Sequence, residues 1–224
     1  MHGRFQLLDT ERCAGECYSL QIPTTPFRRT HLPTPPPCLV VIASSLGGIQ
    51  ALRHILSGLP ADLPASVVVV QHLEPGRRSR LAEVLGLVSA LPVHEAHGGE
   101  ALDDGRVFVA PPDRHVVVDG GGRLQLSDAP PVRFSRPAAD PLFASAAERF
   151  GAGVVGVVLT GCDSDGSLGV RAIKEAGGTV LVQDPATAAV ESMPRNAIAT
   201  GTADDVLPLE QIAGRIVQAV TQSA

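Results

Sequence analysis

The 224 residues include no tryptophan, a single tyrosine (Tyr18) and a single lysine (Lys174). Aromatic residues make up 3% of the chain, which leaves few rings on which unpaired bases could stack. The 18 basic residues are outnumbered by 23 acidic ones, for a formal charge of −5. A chain of that balance has no polycationic surface with which to neutralise phosphates, so nucleic acid is excluded as a partner. No apolar run reaches the ~20 residues that a membrane-spanning helix needs, which argues against membrane insertion. The four cysteines, Cys13, Cys17, Cys38 and Cys162, are too few and too scattered for a disulfide framework. The N-terminus carries no apolar core of a secretory signal, so the expected compartment is the reducing cytoplasm.

What the chain does have is aliphatic bulk. Hydrophobic residues are 44% of the total and charged residues 18%. At ~150 residues per domain the length allows one domain plus a tail. The tail is expected at residues 1–37, which hold six of the 19 prolines, including Pro35, Pro36 and Pro37, and show no sustained periodicity. They read as a flexible leader, with the folded domain at 38–224.

From residue 38 onward, short apolar runs alternate with helix-period segments. Residues 38–43 (CLVVIA), 66–70 and 153–159 (GVVGVVL) are continuous apolar runs, as expected of strands buried on both faces. Further strands are expected at 91–95, 106–110, 115–119, 123–127, 179–182 and 205–207. Gly120-Gly121-Gly122 marks a hairpin between the 115–119 and 123–127 strands. Helices are expected at 47–56, 78–87, 141–150, 167–176, 193–200 and 209–220. Alternation of this kind predicts an α/β fold: a doubly wound, mostly parallel sheet with helices on both faces and a small antiparallel hairpin.

Ligands of such sheets bind at the carboxyl ends of strands. The residues there are Ser44-Ser45-Leu46-Gly47-Gly48, Gln71-His72, Thr160 through Gly166, and Gln183-Asp184. A serine, a histidine and several aspartates on one sheet edge are the inventory of nucleophilic acyl transfer. Histidine can deprotonate a serine near neutral pH, and an aspartate behind it fixes its tautomer. The chain order Ser, His, Asp matches none of the three orders described for other serine-hydrolase folds, so order alone supports nothing. Two other readings stand beside this one. The Gly47-Gly48 turn at a helix start could cradle a phosphate. Asp163 and Asp165, with Asp184 and Glu191, could hold Mg²⁺. The pair His94 and His97, and the pair Cys13 and Cys17, are weak metal signals.

Six segments in order carry a resemblance. They are IASSLGG at 42–48, VVVVQH at 67–72, VFVAPPDRH at 107–115, DPLFASAA at 140–147, GVVLTGCDSDGSLG at 156–169 and QDPATAAVESMPRNAI at 183–198. From about residue 39 to 220 the chain resembles the catalytic domain of the chemotaxis protein-glutamate methylesterases, the CheB family. The resemblance implies a serine hydrolase that cleaves γ-glutamyl methyl esters on methylated chemoreceptor helices, releases methanol and also deamidates glutamine. It implies no metal and no organic cofactor. By motif, Ser45 resembles the nucleophile, His72 the general base and Asp165 the orienting acid. Leu46, Cys162, His115 and Met193 fall at positions implied to supply oxyanion or substrate contacts.

The sequence departs from the family pattern in places. Ala43 and Ser44 stand for the usual Gly and Ala, Leu46 for Thr, Cys162-Asp163 for Met-Gly, and Ser192 for Gly. The family also usually has a receiver domain of ~120 residues before the esterase. With 37 residues there, the resemblance implies a free-standing esterase domain, constitutively open or controlled by a separate response regulator. A non-catalytic binding module of the same fold, or an esterase with a non-receptor substrate, are the alternative functions.

Overall fold

The computed structural model of the protein describes residues 38–74, 76 and 79–222. The proline-rich leader, with Cys13 and Cys17, lies outside the described residues.

The apolar runs become the centre of a seven-stranded parallel sheet. Its strands are β1 (Cys38–Ser44), β2 (Ala65–Gln71), β3 (Val93–Glu95), β4 (Val107–Val109), β7 (Val154–Val158), β8 (Thr179–Gln183) and β9 (Asp205–Leu207). They lie in the order β3-β4-β2-β1-β7-β8-β9. Between β7 and β4 in sequence, β5 (His115–Val118) and β6 (Leu124–Ser127) pair as the expected antiparallel hairpin. Every residue of β1, β2 and β7 is buried, which is why their sequences are continuously apolar rather than alternating.

The helices are α1 (Gly48–Ser57), α2 (Leu81–Gly86), α3 (Ala139–Phe150), α4 (Ser167–Glu175), α5 (Ser192–Ala199) and α6 (Leu209–Gln222). They cover the two faces of the sheet. Alternate residues of β1 divide between two cores. Val40 and Ile42 pack with Leu52, Ile55 and Leu56 of α1 and Ile212 and Ile216 of α6. Leu39, Val41 and Ala43 pack with Leu142 and Phe143 of α3, Val170 and Ile173 of α4 and Met193 of α5. Each fully buried Leu, Ile or Phe contributes about 1.5–3 kcal/mol from removal of apolar surface from water.

The largest shift of a helix start is at α2, expected from residue 78 and observed from Leu81; α3 starts two residues earlier than expected and α1 and α5 differ by one. The Ser79 hydroxyl accepts the Leu81 backbone N–H at 3.1 Å, a local bond that competes with helical continuation before it. Two short 3₁₀ turns, Gly151–Gly153 and Pro185–Thr187, were not expected; each is a single turn at a junction, too short to show periodicity.

Strand order reverses at β1. The chain runs from β1 to β2 on one side and later returns to place β7 on the other. Such a switch point opens a crevice at the carboxyl ends of the two strands, where their following loops diverge.

Candidate active site

Ser45 follows β1 directly and is held by its backbone. Its N–H donates to Thr160 O at 2.9 Å, tying it to the loop after β7. Its carbonyl accepts from Gly48 N at 2.8 Å and from Gln71 Nε2 at 2.8 Å. Gln71 ends β2 and is almost fully buried. Its amide nitrogen also donates to His72 O at 3.0 Å, while its Oε1 accepts from Ser44 Oγ at 2.8 Å. One side chain therefore sets the spacing between the residues that carry Ser45 and His72.

The turn after Ser45 needs glycine. Gly47 has φ of 81°, and a β-carbon there would lie 2.6 Å from the Ala189 Cβ. Gly161, across the crevice, is required for a different reason. A β-carbon on it would sit 2.0 Å from Met193 Sδ and 2.8 Å from Ser45 Cβ.

Ser45, Leu46, Ile49, Gln50, Gln71 and His72 line a cleft of about 330 Å³. Among the described residues the Ser45 hydroxyl makes no hydrogen bond, either to His72 or elsewhere. His72 Nε2 instead lies 2.7 Å from Asp165 Oδ2. Its Nδ1 faces Ser135 Oγ and Asp163 Oδ2, both at 3.4 Å.

Asp165 is completely buried. Besides His72, it accepts the backbone N–H groups of Ala139 (2.5 Å), Asp140 (3.0 Å) and Gly166 (2.9 Å). Burial alone would raise its pKa. The hydrogen bond from His72 and those from Ala139 and Asp140 outweigh burial and hold the carboxyl below its ordinary value. For His72, burial alone would lower the pKa. The Asp165 hydrogen bond, the Asp165 charge and the Asp163 charge reverse that and raise it.

Asp165 and Asp140 exchange helix caps. Asp165, just before α4, receives the first amides of α3. Asp140, in the first turn of α3, receives Leu168 N at 3.1 Å and Gly169 N at 2.8 Å, the first amides of α4. Each carboxylate thus satisfies the orphan donors of the other helix and sits at the positive end of its dipole. Asp140 is largely buried. Desolvation raises its pKa, the Gly169 amide opposes this, and the charge of Asp165 adds to the rise.

The other sequence-derived candidates fall in different places. Leu46 is exposed on the cleft wall. Cys162 is an exposed free thiol, and its backbone N–H bonds to no other described residue. Met193 is fully buried against Gly161, with its own N–H donated to Gly161 O at 3.0 Å, so it shapes the floor behind Ser45. His115 does not line the cleft. It is buried, with Nε2 3.2 Å from Pro130 O and Nδ1 accepting the Ala138 N–H at 3.2 Å. Its place is behind the site, bracing the segment that leads into α3.

The Mg²⁺ reading is corrected by the same geometry. Asp184 caps its own 3₁₀ turn through Ala186 N, and Glu191 pairs with Arg195 at 2.9 Å. Among the described residues no group of three His, Cys, Asp or Glu side chains is arranged to hold a metal ion, His94 and His97 included. Sequence reasoning missed Gln71 and the Nδ1 contact of Asp163. The QH pair after β2 was visible, but nothing in spacing says that the glutamine folds back onto two carbonyls.

Residues 40–216 match the family described as CheB methylesterase. A protein-glutamate methylesterase/protein-glutamine glutaminase of Anaeromyxobacter dehalogenans is 50% identical over 174 residues, 78% of this chain and 51% of that protein. The protein-glutamate methylesterase FrzG of Myxococcus xanthus is 40% identical over 190 residues, 85% of this chain and 57% of that one. The chain thus spans about half the length of the curated relatives it matches. The crystal structure of the Thermotoga maritima CheB methylesterase catalytic domain superposes with a TM-score of 0.78 at 38% identity, covering 81% of this chain and 97% of that one.

Proposed function

The chain belongs to the CheB methylesterase family, and from that premise we propose that it is a serine hydrolase of protein γ-glutamyl methyl esters, acting in the cytoplasm on methylated chemoreceptor helices. The observation that carries the reading is the buried Asp165–His72 hydrogen bond of 2.7 Å at the wall of a cleft that also contains Ser45.

In this reading Ser45 is the nucleophile, His72 the general base and Asp165 the acid that orients the ring. Asp165 occupies Nε2, so Nδ1 is the nitrogen left to take the Ser45 proton. The Ser45 hydroxyl, bonded to no described residue, turns to it as the oxygen attacks the ester carbonyl. The backbone N–H groups of Cys162 and Leu46 hold the tetrahedral oxyanion. The C–OCH₃ bond breaks, methoxide takes the proton from His72, and methanol leaves. Water, deprotonated by His72, then cleaves the acyl-enzyme to a glutamate carboxylate and free Ser45. With a glutamine substrate the same steps release ammonia, which is the deamidation named for several relatives. A positioned oxyanion donor contributes roughly 10²–10³ in rate and a proton shuttle roughly 10²–10⁴. His115 acts through the α3 segment and Met193 through Gly161, neither touching the reacting atoms.

The test is methanol release from methylated receptor helices by the wild type and by Ser45→Ala. The wild type is expected to release methanol and the variant to release none. Equal release by both would remove Ser45 from the mechanism. A wild type inert on receptor helices but active on p-nitrophenyl esters would replace the substrate while keeping the chemistry.

A further inference from the structure

Building on the reading of His72 as the base, we propose that Asp163 is a positioning residue that favours the doubly protonated ring over the neutral one and so sets the pH at which the base becomes available. Each ring nitrogen of His72 faces a carboxylate oxygen, Nε2 toward Asp165 at 2.7 Å and Nδ1 toward Asp163 at 3.4 Å. A carboxylate only accepts. A ring that satisfies both must carry a proton on both nitrogens, which is the imidazolium. The neutral ring has one N–H; with that proton on Nε2, its Nδ1 lone pair can meet the Ser135 hydroxyl at 3.4 Å but also faces the Asp163 carboxylate, which disfavours it.

Asp163 is built into this place. Its Oδ1 accepts the Asp165 N–H at 2.8 Å, which leaves Oδ2 aimed at the ring. Its own carbonyl accepts from Asn196 Nδ2 at 2.9 Å and Ser192 Oγ at 3.2 Å, both on α5. Among the described residues, the other groups around the ring do not cancel its charge. Ser135, on the turn before α3, offers a neutral hydroxyl at 3.4 Å. Arg133 on the same turn is spent on Ser164 Oγ at 2.8 Å and Asp140 at 3.5 Å. Asp140 of α3 acts on Asp165 rather than on His72, Gln71 of β2 is neutral, and Glu74 lies two residues further along the chain. The Asp163 side chain is 31% exposed, so its influence is partly screened and responds to salt.

This matters for Ser45 because Nδ1 is the nitrogen it needs. Before each turnover the ring must lose its Nδ1 proton, and Asp163 opposes that loss. Once the Ser45 proton has been taken, the same charge stabilises the cation.

The experiment uses Asp163→Asn in the full chain, which removes the charge and keeps an Oδ1 acceptor for the Asp165 amide. Asp163→Gly serves as a second variant if the first fails to fold. The His72 ring proton, assigned with His72→Gln, is titrated by NMR. The rising limb of kcat/KM against pH is followed with p-nitrophenyl acetate. Both midpoints are expected to move to lower pH in the variant, with severalfold higher kcat/KM on the acid side and a smaller difference in 1 M salt. An unchanged or raised His72 midpoint in both variants overturns the proposal. The NMR reading decides even if neither protein hydrolyses an ester, a result that would instead remove the functional reading above.

Discussion

Ser45 and Asp165 follow neighbouring strands of one sheet, and they are held in opposite ways. Ser45 is fixed through its backbone, to Thr160, Gly48 and Gln71, while its hydroxyl, at the cleft, bonds to no described residue. Asp165 is fixed through its side chain, by four hydrogen bonds with no solvent exposure. The difference is what the proposed roles, nucleophile for Ser45 and orienting acid for Asp165, require. A nucleophile must rotate and meet substrate, so only its Cα can be anchored. An orienting acid must keep one geometry through every step, so its oxygens are saturated with donors.

The largest expected effect separates the two at once. Ser45→Ala should lower ester hydrolysis about 10⁴-fold or more and leave the thermal midpoint unchanged, because no structural bond is lost. Asp165→Asn should lower hydrolysis by a comparable ~10⁴-fold. It should also reduce stability by about 1–3 kcal/mol in urea unfolding, since an amide –NH₂ would meet backbone donors. If Ser45→Ala destabilised as much as Asp165→Asn, the contrast would collapse.

An intermediate test probes how Ser45 is set against His72, the ring that Asp165 holds. Gln71→Leu removes the link between the Ser45 and His72 carbonyls. It should cost about 1–3 kcal/mol by stranding Ser44 Oγ and the two carbonyls. It should also lower kcat/KM about tenfold to a hundredfold through misplacement of the pair. Asp140→Ala should cost about 1 kcal/mol for the lost α4 cap, with a smaller loss of activity, both read on the same preparations.

The smallest effect is in the pH dependence of stability. The folded-state pKa of Asp165 is lowered, so its contribution is complete above the ordinary carboxylate range and is lost as pH falls through the folded value. That of His72 is raised, so its contribution is complete below the ordinary imidazole pKa and is lost as pH rises through the raised value. Urea midpoints measured from pH 2.5 to 8.5 should fall at both ends in the wild type. In His72→Gln the alkaline-side loss should vanish.

The central strands were legible because burial on both faces demands unbroken apolar runs, and β1, β2 and β7 show them. The parallel arrangement and the gathering of Ser45, His72 and the Asp163–Asp165 loop on one sheet edge followed from strand-helix alternation. What was not legible depends on side-chain direction at the ends of strands. His115 opens a strand after a proline-rich loop, a position that reads equally well as cleft wall or as buried brace; packing against the Ala138 amide decides it. Gln71 is one residue from His72, yet its role needs the Ser45 and His72 carbonyls to converge, which only the β1–β2 register produces. Asp163 was visible as an added charge two residues from Asp165, but its contact with Nδ1 needs the loop's own hydrogen bond to Asp165 N to aim it.

The exchanged caps of Asp140 and Asp165 have a consequence for inheritance. Neither aspartate can drift alone, because each closes the start of the helix that the other begins. A neutral path away from Asp140 would have to find a new donor arrangement for α4 and, in the same step, keep Ala139 and Asp140 amides turned toward Asp165. Selection on the proposed reaction would therefore reach, through that pair, a residue outside the cleft, and Asp140 is expected to change less freely than its modest effect on activity alone would suggest.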